Sequence, residues 1–234
     1  MQEDDGECYR IGVDEAGRGS LIGEMIVAAV AVPCGKAELL PEEGVRDSKL
    51  VSPRRRAEIY AIFSRTYPFV VIPAKTSELD ENNLGKLTAL KIAEALHVLS
   101  QRIDPTKVER IAIDRYGKKW GLPYRIKSMG YKNAKVIIRE KADLLYPEVS
   151  LASIFAKHIR DLRISIIRRW TGVRGSGYPS DPETMESLKE ILSRPNSQRI
   201  IKYIRLSWAT AEKLGIKGAG KKKGKKGKNL TDYF

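Results

Sequence analysis

A short apolar run, Ile11-Gly12-Val13, leads into two adjacent carboxylates, Asp14 and Glu15, and Ala16-Gly17-Arg18-Gly19-Ser20 follows at once. The run reads as a buried strand from Tyr9 to Asp14, with its acids at the carboxyl end, where α/β proteins place their sites. Neighbouring acids beside a buried strand repel each other and resist desolvation unless a cation accompanies them. Gly17-Arg18-Gly19 offers close backbone approach, free N–H groups and one guanidinium, which suits a phosphate or a ribose. The plainer alternative is a strand end followed by a turn.

The same theme recurs. Arg110 to Asp114 is another apolar run ending in an acid, and Lys135 to Ile138 is a buried strand followed closely by Asp143. Met25 to Val32 reads as the hairpin partner of the first strand, closed by Pro33 and Gly35, and Tyr67 to Ile72 as a third strand. Helices are predicted from Ser52-Pro53 to about Arg65, from Leu84 to Ile103, after Tyr146-Pro147, near Glu183–Leu192, and briefly from Ser207-Trp208. After Pro147, the spacing of Ala152, Phe155, Ile159, Leu162 and Ile166 predicts one buried face. Leu87, Leu90, Leu96 and Leu99 read as core, and Trp120 and Trp208 as packing.

A chain of 234 residues can bury a substantial core as one domain, or as a domain with a small appendage. No apolar run approaches the roughly 18–20 residues that a membrane helix needs. The acidic start, Met1 to Glu7, has no apolar signal core, so the expectation is a cytoplasmic protein without membrane contact. Cys8 and Cys34 have neither metal-ligand spacing nor a disulfide framework around them. With two histidines in all, a zinc site or a histidine relay is not expected. Net charge is +14, which points to an anionic partner, most often nucleic acid. Residues 217–234 carry seven lysines and one aspartate, +6 of that total, leaving +8 on the rest.

Four carboxylates at element ends, Asp14, Glu15, Asp114 and Asp143, suit hard divalent cations such as Mg²⁺, which takes a few carboxylates together with water and phosphate oxygens. Two such ions about 3.5–4 Å apart can activate a water and steady a leaving oxygen in phosphodiester hydrolysis. Taken singly, Asp114 also reads as a strand-end turn residue, and Asp143 as a charge ahead of a helix N-terminus. The set carries weight only if the strands bring its members together.

Four motifs stand in order: Asp14-Glu15-Ala16-Gly17-Arg18-Gly19, Asp47-Ser48-Lys49, Lys141-Ala142-Asp143 with Val149-Ser150-Leu151-Ala152-Ser153-Ile154 after it, and Gly175-Ser176-Gly177-Tyr178-Pro179-Ser180-Asp181. Over about residues 9–214 this pattern closely resembles type 2 ribonuclease H, archaeal members most of all. The resemblance implies an α/β ribonuclease H fold: a five-stranded mixed sheet flanked by helices, with a helical C-terminal part. The expected layout is a catalytic domain over residues 8–170, the helical part over 171–216 and a basic tail over 217–234.

The resemblance further implies endonucleolytic cutting of the RNA strand of RNA–DNA hybrids. It also implies cutting on the 5′ side of a single ribonucleotide in duplex DNA, leaving a 3′-hydroxyl and a 5′-phosphate. Asp14, Glu15, Asp114 and Asp143 match the family's catalytic acids, which hold two Mg²⁺ or Mn²⁺ ions. Gly17, Arg18 and Gly19 would sense the ribose 2′-hydroxyl through their backbone, with Tyr178 beside them, while Ser48 and Lys49 hold a backbone phosphate. Two departures stand out. Ser20 and Glu24 occupy positions where the family often has proline, which predicts a less rigid loop after Gly19, and Arg115 to Trp120 does not match the family's pattern.

The chain ends Gly227-Lys228-Asn229-Leu230-Thr231-Asp232-Tyr233-Phe234. One helical turn would present Leu230, Tyr233 and Phe234 on one face, which resembles the peptide that docks on the replication sliding clamp, with Gly227 where glutamine is usual. The expected partners are therefore nucleic acid and that clamp, bound by a monomer.

Overall fold

Strand β1 (Tyr9–Ala16) carries the opening acids and lies in the middle of the sheet, hydrogen-bonded on both edges. The computed structural model describes residues 8–45, 50–115, 117–195, 197–216 and 219–220. β2 (Met25–Pro33) returns antiparallel to β1, and after α1 (Cys34–Ala37) and α2 (Pro53–Phe63), β3 (Phe69–Ala74) continues the meander. α3 (Thr76–Glu81) and α4 (Leu84–Leu99) lead to β4 (Val108–Asp114), which joins the other edge of β1 in parallel. α5 (Leu122–Ser128) precedes β5 (Lys135–Arg139), parallel to β4. The sheet is five-stranded and mixed, in the order β3-β2-β1-β4-β5. α6 (Pro147–Thr171) then crosses the sheet, and α7 (Pro182–Leu192), α8 (Gln198–Ile201) and α9 (Ala209–Lys213) form the helical C-terminal part.

Local signals explain most boundaries. Ser52 accepts from the Arg55 N–H as N-cap of α2, ahead of Pro53 at the first helical position. The apolar stripe of α4, with Leu87, Leu96 and Leu99, packs on one face of the sheet beside Ile11, Val13 and Val27. The other face, with Ala28 and Val30, meets Leu151, Phe155 and Ile59. No described helix is long and apolar enough to cross a membrane.

Two expectations fail on packing. Ala152 and Phe155 are buried, but Leu162 and Ile166 stand exposed on α6. Beyond the sheet the helix changes partner, and Ile164 and Ile167 turn instead to Leu188, Ile200 and Ile204 of the C-terminal part. Cys8 and Cys34, in turn, are joined as a disulfide with their Cα atoms 5.5 Å apart. The hairpin pairs Tyr9 with Pro33, so the cysteines occupy the next positions outward, a proximity that spacing along the chain does not reveal.

α6 reaches β1 with no side chain between them. A Cβ on Gly12 would fall inside the Glu148 carbonyl and against the Val149 nitrogen. This close approach seats the first turn of α6 directly beneath the acids. Gly12→Ala is therefore expected to cost about 1–3 kcal/mol or more by forcing helix and strand apart. Denaturant unfolding measures it, and an unchanged midpoint would contradict the contact.

Candidate active site

β1 and β4 run parallel with Val13 opposite Ile113, so the next residues, Asp14 and Asp114, sit side by side on neighbouring strands at the end of their pairing. Neighbouring strands lie about 4.8 Å apart, which brings two distant parts of the chain within reach of one ion. Asp114 Oδ1 accepts from the Ala142 N–H at 2.8 Å. That bond fastens the 3₁₀ turn Ala142–Leu144, and with it Asp143, to the end of β4. Asp14 and Asp143 are each only 7% exposed.

The electrostatics are those of crowded carboxylates. Burial pushes the Asp14 carboxyl well above its ordinary range, and the charges of Glu15 and Asp114 add to this against a hydrogen bond with Ser153. Burial also raises Glu15, opposed by Arg18, whose Nη1 lies 3.3 Å from Glu15 Oε1. A hard divalent cation beside these oxygens would offset the burial and mutual repulsion that raise both groups. Among the described residues, the one set of three potential ligand atoms within 4.8 Å of one another is Cys8, Cys34 and Glu109, which includes the disulfide sulfurs. No three of the four acids bring their oxygens that close together in the structure.

A carboxylate whose folded pKa is raised adds no penalty below its unfolded pKa and destabilises the fold as pH rises through the folded value. A cation at the acids relieves that penalty, so Mg²⁺ should raise the melting temperature more at pH 8 than at pH 5. Equal shifts at the two pH values would contradict the assignment.

The Gly17-Arg18-Gly19 loop is held from behind by a residue that sequence reading missed. Arg205 is fully buried and donates from Nη2 to the Gly17 carbonyl at 2.6 Å, from Nη1 to Arg18 at 2.8 Å and from Nε to Gly23 at 3.0 Å. Its guanidinium also lies 5.4 Å from the Trp208 ring. Burial, with the nearby Arg160, pushes its pKa down to about 10, so it remains a cation at neutral pH. Gly17 itself has φ +79°, and the Glu24 carbonyl and Arg160 side chain close on the space a Cβ would take.

A second buried arginine places the tyrosine. Arg160 Nη2 donates to Ser20 Oγ at 2.8 Å and to the Ser176 carbonyl at 2.6 Å, and its guanidinium lies 4.5 Å from the Tyr178 ring centroid. Asp181 ties the same loop down by accepting from Ser176 and Thr184 side chains. Gly19 then faces Tyr178, whose ring carbon would stand 3.9 Å from a Cβ there. The loop after Gly19 is well anchored, contrary to expectation. Ser20 Oγ donates to the Ile22 and Gly177 carbonyls, and Glu24 grips Arg163 through two hydrogen bonds at 2.6 and 2.7 Å. Polar bonds here do the restraining expected of proline.

The sequence profile described as Ribonuclease HII matches residues 11–211. The chain belongs to the ribonuclease HII family. A ribonuclease HII of Aeropyrum pernix is 41% identical, the match covering 96% of this chain and 97% of that one. Among solved structures, the ribonuclease H2 of Pyrococcus horikoshii superposes with a TM-score of 0.76 at 34% identity, covering 88% of this chain and 96% of the other. A ribonuclease HII of Archaeoglobus fulgidus, solved as a complex with PCNA, gives 0.73 at 32% identity over 88% and 96%.

As a ribonuclease HII, the protein is a metal-dependent endoribonuclease acting on the RNA of RNA–DNA hybrids. Of the residues singled out from the sequence, Asp14, Glu15, Asp114 and the turn bearing Asp143 come together, as do Gly17, Arg18, Gly19 and Tyr178. Ser48, Lys49, Leu230, Tyr233 and Phe234 lie outside the described residues. Arg160 stands in a helix among surface charges and Arg205 between Ile204 and Leu206. That apolar setting is the one sequence signal that marks Arg205 as buried.

Proposed function

We propose that the enzyme cuts RNA within RNA–DNA hybrids and also cuts duplex DNA on the 5′ side of a single ribonucleotide, leaving a 3′-hydroxyl and a 5′-phosphate. In this reading Asp14, Glu15, Asp114 and Asp143 hold two Mg²⁺ or Mn²⁺ ions. When bound, those ions would lower the pKa of the attacking water and neutralise charge on the leaving oxygen. The remaining work belongs to the chain. Arg205 keeps the Gly17 and Arg18 carbonyls in place, Gly19 leaves room for a sugar, and Arg160 sets the angle of Tyr178.

The observation that carries this reading is the pairing of Gly19 with Tyr178 beside the acids. A nuclease for DNA alone needs no group that senses a 2′-hydroxyl, and a silent hybrid-binding protein gains nothing from carboxylates aimed at phosphates. Tyr178→Ala should reduce kcat/KM at a single ribonucleotide about 10²-fold, since misplacement of the reacting group alone costs that much. The measurement compares this variant with the parent on duplexes bearing one ribonucleotide, and an unaltered rate would remove Tyr178 from the reading. Mapping the ends of the products tests the cut position.

The Archaeoglobus relative's complex with PCNA supports a clamp-docking role for Leu230, Tyr233 and Phe234. The lysines before them would act as a tether, and the enzyme would work as a cytoplasmic monomer.

A further inference from the structure

A second basic feature lies on the far side of the acids. Arg115, Lys118, Lys119, Arg139 and Lys141, with the single acid Glu140, line a cavity of about 720 Å³ beyond the ends of β4 and β5. All six are exposed. Arg115 pairs with Glu140 at 3.0 Å, but with side chains 54% and 73% exposed this ion pair is weak and yields readily to an anion. The pocket is built into the site. Arg115 N–H donates to the Arg139 carbonyl, so its wall continues the β4–β5 ladder from Asp114. Lys141 holds a left-handed backbone at φ 56°, a conformation that non-glycine residues adopt at some cost, immediately before the turn carrying Asp143. On its inner side, a Cβ on Gly117 would stand 3.9 Å from Arg18 Nη2, so the ribose loop and the pocket share a boundary.

We propose that this pocket holds backbone phosphates of the cut strand on the 5′ side of the break. The inference rests on the reading of the acids as the cutting site and of Gly19 with Tyr178 as the ribose sensor. The direction follows from the sheet. A ribonucleotide whose own 5′-phosphate is cut lies 3′ of the break, at the β1 side with Gly19 and Tyr178. The strand then passes the acids of β1 and β4, and what emerges beyond β4 and β5 is the 5′ segment. Phosphate contacts of this kind position the strand and carry no base information.

The test uses the full chain and a double variant, Lys118→Ala with Arg139→Ala, whose exposed side chains leave the melting temperature unchanged. On long duplexes with one ribonucleotide, KM should rise about tenfold with kcat within about twofold, and the salt dependence should become shallower by about one to two. Shortening the cut strand to one nucleotide on the 5′ side of the break should abolish the difference between variant and parent. Shortening it on the 3′ side should preserve that difference. An unchanged KM on long duplexes, or an equal KM defect on both shortened substrates, overturns the pocket assignment. Failure of the parent to cut any of these duplexes would instead overturn the ribonuclease reading beneath it.

Discussion

Asp143→Asn is expected to abolish cutting of a single-ribonucleotide duplex while leaving the fold intact. Asp143 is 7% exposed, on a turn that the Asp114 carboxylate fastens to β4. Asparagine keeps the volume and one oxygen but removes the charge. Loss of an outer-shell partner of a metal site typically costs roughly 10–100-fold, so if Asp143 is a ligand, as proposed, its loss should exceed that range. Single-turnover cleavage with Mg²⁺ or Mn²⁺ measures it. A rate within tenfold of the parent would take Asp143 out of the site.

Arg205→Ala should produce the largest loss of stability from a single polar side chain. It strips the donors from the Arg18 and Gly23 carbonyls, leaves the Gly17 carbonyl only the Ser20 N–H, and empties the space beside Trp208. A buried acceptor left without a partner costs about 1–3 kcal/mol, so a loss of roughly 3 kcal/mol or more is expected. Arg205→Lys, which keeps a charge but lacks the planar fork, should fall between alanine and the parent. Denaturant unfolding of the three proteins reads this order. Equal stability of alanine variant and parent would show that the loop stands without the arginine.

Asp14, Glu15 and Asp114 stood out in the sequence because they close short apolar runs, and Asp143 because it follows one by a few residues. Bringing Asp14 beside Asp114 needed the parallel register of β1 and β4, which periodicity does not encode. The same limit hid the Cys8–Cys34 disulfide, whose partners meet through the hairpin register, and the change of face along α6 at Leu162 and Ile166. Arg160 and Arg205 escaped for another reason. A buried arginine is defined by the carbonyls it satisfies, and those of Gly17, Arg18 and Ser176 lie far away in the chain. Proline at positions 20 and 24 would have signalled rigidity, whereas Ser20 and Glu24 supply it through bonds visible only once the fold is known.

Whether acids from separate strands share one divalent-ion site is read by calorimetry of Mn²⁺ binding. Asp14→Asn and Asp114→Asn, a hundred positions apart, should each weaken Mn²⁺ binding more than tenfold relative to the parent chain. Parent-like binding by Asp114→Asn would contradict a shared site.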